Sequence, residues 1–76
     1  MTTLAALPVA FVSFRSRVLS ALRIKAGFDG MGPAHVDRLV TWADESRPAT
    51  IWEAWNADWT VADVADHLWH ASVDYV

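Results

Sequence analysis

Asp63, Asp66, His67, His70 and Asp74 crowd into one short stretch, and no other residues of this sequence come nearer to a reactive or ligating set. If the stretch is helical, Asp63 faces His67 and Asp66 faces His70, one turn apart in each case. A carboxylate beside an imidazole can share a divalent metal with it, or it can favour the imidazolium and pair with it on the helix surface. An exposed pair of the second kind contributes about 0.3–0.5 kcal/mol. Metal binding needs three or four ligands converging from more than one element, and His35 is the only further imidazole in the chain. The spacing favours solvated helix-face pairing, and no cofactor is expected.

Other reactive groupings fail on their surroundings. Ser13, Ser16, Ser20, Ser46 and Ser72 have no strand–turn–helix elbow and no recognisable base and acid around them. Asp44 and Glu45 are neighbours in sequence and point different ways on a helix. The glycines of Gly27 to Gly32 follow a helical pattern rather than a strand, and no Gly-Lys-Ser/Thr ending is present, so the turn is not a phosphate cradle. The chain is expected not to be an enzyme.

Five tryptophans in 76 residues are the second feature, at positions 42, 52, 55, 59 and 69. Each buries roughly 150–250 Å² when packed. Trp52, Trp55 and Trp59 fall at helical spacing and would share one helix face. Core packing is the favoured explanation of such a stripe, and a partner-binding hot spot is the sharper alternative, since tryptophan dominates such sites. With Arg15 and Arg17 of the basic first segment, these three form the expected contact surface.

Charge is divided unevenly. Residues 1–28 carry Arg15, Arg17, Arg23 and Lys25 with no acid, whereas residues 29–76 carry all nine acids, so the net charge of −3 conceals a dipole. The cations of the first segment are expected to face the acidic remainder of the same chain or of a second copy. A basic amphipathic start also suits a membrane surface or an organelle transit peptide. The acidic body repels phosphate and argues against nucleic acid. No cysteine is present, which removes disulfides and thiolate zinc sites and points weakly to the cytoplasm. Leu4 to Phe14, the longest nearly uncharged run, is about half of what spans a bilayer.

The elements that must position these residues read as helices throughout. Leu4, Leu7, Phe11, Phe14, Val18 and Leu22 recur at alternating spacings of three and four, which predicts a long basic amphipathic helix from Thr3 to Ala26. Pro8 marks an alternative start, because proline belongs near a helix N-terminus. Gly27 suits the C-cap and Lys25 the last turn. Pro33 opens a second helix, with Val36, Leu39, Val40 and Ala43 inward and Trp42 beside them. A short third segment spans Ala49 to Ala57 after the break at Arg47 and Pro48. Thr60 caps a fourth, with Asp63 three residues on and Val61, Val64, Ala65, Leu68 and Trp69 along one face. The fold class is all-α: a single domain over residues 1–76, a small three- or four-helix bundle with a long first helix and an acidic, tryptophan-rich body over 33–76.

The stretch Trp59-Thr60-Val61-Ala62-Asp63-Val64-Ala65-Asp66-His67-Leu68 resembles the Trp-Thr-Val-x-Asp-Val-x-x-His-Leu segment of the DinB-like superfamily, which includes mycothiol-dependent maleylpyruvate isomerases. That resemblance implies a four-helix bundle in which His67 is one ligand of a divalent metal, with further ligands from a later helix. In this chain such a site would need a second copy or a second chain to complete it. The same stretch also resembles the first helix of helix-turn-helix units. A recognition helix would have to follow, and residues 69–76 hold no lysine or arginine.

Taken together, these features describe a small non-enzymatic protein-interaction module of accessory or phage-encoded type, binding a host protein, itself as a dimer, or both. The alternatives are a metal-binding DinB-like fragment and a membrane-surface protein acting through its first helix.

Overall fold

A computed structural model describes residues 8–72, which form four helices in the order α1 (Val9–Phe28), α2 (Pro33–Ser46), α3 (Pro48–Asn56) and α4 (Val61–Ala71). The fold is an all-α bundle with a long first helix, as its periodicity requires. Leu4, Leu7 and Asp74 lie outside the described residues. Pro8 occupies the N-cap of α1, the alternative start, and the stretch from Thr3 lies outside the described residues.

The α1 stripe from Phe11 through Phe14, Val18 and Leu22 is buried and continues to Ala26. It meets Val36, Leu39 and Ala43 of α2, Ile51 and Ala54 of α3, and Val64 and Leu68 of α4 in one hydrophobic core. Val18, Leu22, Leu39, Ile51, Val64 and Leu68 are fully enclosed, and each such aliphatic side chain contributes roughly 1.5–3 kcal/mol of transfer free energy. The central element is α1, which touches the other three and packs most extensively on α4.

Ion pairs fix how the helices run. Arg15 reaches Asp44 at 3.2 Å and Arg23 reaches Asp37 at 2.7 Å, so α2 returns antiparallel along one flank of α1. On the other flank Ala21 and Ile24 lie over Ala62 and Ala65, while Lys25 and Phe28 lie near Trp69. That order makes α4 parallel to α1. The short α3 supplies the reversal, crossing the end of the bundle where Trp52 and Trp55 meet Phe11.

Two helix ends use the same closing geometry. At the end of α1, Met31 N–H donates to Ala26 C=O and Gly30 N–H to Gly27 C=O, with Gly30 at φ +88°. These are the paired bonds of a Schellman turn, and Met31 packs back on the core behind it. The stop therefore falls later than Gly27, which lies inside the helix. At the end of α3, Trp59 N–H donates to Ala54 C=O and Asp58 N–H to Trp55 C=O, with Asp58 at φ +63°. An L-residue strains in that region, aspartate less than most. Asp58→Gly is accordingly expected to raise stability by about 0.5–1 kcal/mol, measured as a higher urea midpoint at unchanged m-value. The start of α4 is capped as its sequence requires, with Thr60 Oγ1 accepting from Asp63 N–H at 3.1 Å.

Candidate functional site

Two surfaces carry the residues singled out by type and spacing, and the turn at Asp58 separates them. Trp52 and Trp55 belong to α3, but Trp59 lies beyond that turn, so the three tryptophans do not share one helix face. The spacing argument assumed an unbroken helix through residue 59, and the left-handed Asp58 swings Trp59 away toward α4.

The first surface is an aromatic cluster at the crossing of α1 and α3. Phe11 meets Trp52 edge-on at 4.8 Å between ring centroids and Trp55 at 5.5 Å, and the two indoles lie 5.5 Å apart. The edge-on angles of Phe11 to both indoles suit the aromatic quadrupoles, and the indole pair is tilted at 42°. Trp55 is half-buried and packs on the core, whereas Trp52 remains 38% exposed. Val9 and Val12 are also exposed at this end of α1. The sequence pattern places Phe11 only on the helix stripe; its contact with both indoles depends on α3 crossing there, which no local pattern signals.

The second surface is an open recess of about 500 Å³ lined by Trp59, Asp63, Asp66, His67 and His70. The His67 ring stands edge-on to Trp59, with centroids 5.8 Å apart at 85°. Of the two carboxylate–histidine pairs expected from spacing, one forms: Asp66 Oδ2 lies 3.5 Å from His70 Nδ1, which also lies 2.8 Å from the Asp66 backbone oxygen. Asp66 is shared further with Lys25 at 3.4 Å. His67 turns to Trp59, and no ion pair joins it to Asp63. His35 stands apart on α2, and among the described residues no group of three or more histidines and carboxylates is placed to hold a metal ion.

The two arginines assigned to a contact surface differ in what they do. Arg15 pairs with Asp44 across the α1–α2 contact, while Arg17 projects outward without an ion pair among the described residues. With Arg23 and Lys25 also paired internally, the basic first helix does face the acids of its own chain. Arg47 adds a contact that charge counting missed, its guanidinium lying 5.1 Å from the centre of the Trp42 ring. The apolar stripe of α1 faces the bundle, and no described helix is long and apolar enough to cross a membrane.

No family model matches the sequence, and neither a curated protein nor a solved structure does so.

Proposed function

We propose that this chain is a small non-enzymatic protein-interaction module that docks through the aromatic end formed by α1 and α3. The observation that carries the reading is Trp52: one part of its indole is pinned against Phe11 and Trp55, yet 38% of the residue faces solvent. A held aromatic loses little conformational freedom when a partner covers it, and such residues dominate interface energetics. Val9 and Val12 extend the apolar surface, and Arg17 offers an outward cation on the same helix. The absence of cysteine and the small single core suit an accessory or phage-encoded protein of the cytoplasm, with a host protein or a second copy as its partner. The metal reading attached to His67 lacks a comparable observation.

A photo-reactive residue placed at Trp52 in the native host is expected to cross-link one discrete species, and the same group at Ser20 on the outer face of α1 is not. Mass spectrometry of the product distinguishes a second copy from a different protein, and light scattering gives the stoichiometry. Equal labelling from both positions, or none from Trp52, removes the reading.

A further inference from the structure

We infer that the recess on α4 is a receptor for an arginine side chain carried by a peptide segment of a partner. Its composition selects a cation with a flat face. Trp59 is 42% exposed and is steadied by His67 at its edge, and a guanidinium stacks on an indole while its fork reaches a carboxylate.

Asp63 supplies that carboxylate. Its backbone N–H is used by the Thr60 cap, but among the described residues its side chain has neither an ion pair nor a hydrogen bond. Asp66, on the same recess, is already shared by Lys25 and His70 and so holds its place without a ligand.

The charge distribution of the whole chain agrees. All six lysines and arginines lie among the described residues. Arg15, Arg23 and Lys25 are taken by Asp44, Asp37 and Asp66, and Arg47 covers Trp42. Only Arg17 and Arg38 are left without such contacts, on α1 and α2, and neither lines the recess. Asp63, which lines the recess with Trp59, and Asp58, which precedes Trp59 in sequence, therefore have no ion-pair partner among the described residues. An arginine from outside satisfies both the exposed indole and the unpaired acid, which an acidic or purely apolar segment cannot do.

This inference is separate from docking at Trp52, and the test keeps the two apart. A blocked pentapeptide of alternating glycine and arginine is titrated into the ¹⁵N-labelled protein at low salt, beside the same peptide with citrulline for arginine. The expected result is a saturable shift centred on the Trp59 indole N–H and the amides of Asp63 and His67, absent with citrulline. Asp63→Asn should weaken binding about tenfold, the loss of one charge-assisted hydrogen bond. Trp59→Phe, which keeps a ring on His67, should weaken it less than Trp59→Leu, and the dispersion of the remaining resonances reports that each variant is folded. Equal shifts from the citrulline peptide overturn the inference, as does unchanged affinity in folded Asp63→Asn or a response spread over the acidic surface. None of these outcomes touches the cross-linking result at Trp52.

Discussion

Phe14→Ala is expected to cost about 3–5 kcal/mol, enough to leave a domain of this size largely unfolded near room temperature. Phe14 is 6% exposed on the stripe by which α1 holds the other helices. Truncation removes its transfer free energy and leaves a cavity in the shared core that the other helices, held by their own packing, only partly fill. Small single-core domains begin from a narrow margin. Each kcal/mol shifts the midpoint of such a chain by roughly 4–8 °C, so a circular-dichroism melt should show a fall of more than about 12 °C or no cooperative transition. Val12→Ala, on the exposed side of the same helix, is the control and should stay within about 0.5 kcal/mol. A Phe14→Ala melt that overlays the parent's would mean the stripe is not buried in solution, and would revive the membrane-surface alternative.

Where local rules act within a single turn, sequence and structure agree closely. Pro33 opens α2 and Thr60 caps α4 because each device depends only on residues within four positions of itself. The charge asymmetry was also legible: four cations before residue 29 and nine acids from residue 29 onward predict that α1 faces the acids of its own chain or of a second copy, and Arg15, Arg23 and Lys25 pair within the chain. Errors arose where two residues competed for one role or a contact was long-range. Gly27 and Gly30 both fit a helix stop, and the choice fell to Gly30 because it lets Met31 reach the core. Trp52, Trp55 and Trp59 matched a helical period that Asp58 interrupts. Aspartate at the end of a helical run is a recognised turn residue, so the interruption had a signal, though a weaker one than the tryptophan spacing. The pairing of Trp59 with His67 had none, since it requires the α3–α4 turn to bring the two together.

That division of the tryptophans gives the second large effect. Trp55 and Trp52 are equivalent by spacing, but Trp55 packs against the core while Trp52 looks outward. Trp55→Ala should therefore reduce stability by about 3 kcal/mol or more, because it removes a half-buried indole together with its ring contacts to Phe11 and Trp52. Trp52→Ala retains the Phe11–Trp55 contact and gives up surface that was partly wet already, so its expected cost is nearer 1 kcal/mol. Partner binding should show the reverse order: Trp52→Ala loses about 2 kcal/mol or more of affinity while the fold persists. Urea denaturation followed by fluorescence of the remaining tryptophans measures the first quantity, and capture of the species cross-linked through Trp52 measures the second. Because the two indoles touch, the double variant should be less destabilised than the sum of the single ones. If Trp52→Ala instead proves as destabilising as Trp55→Ala, the exposed indole is a structural strut, and the interface must be sought elsewhere on the bundle.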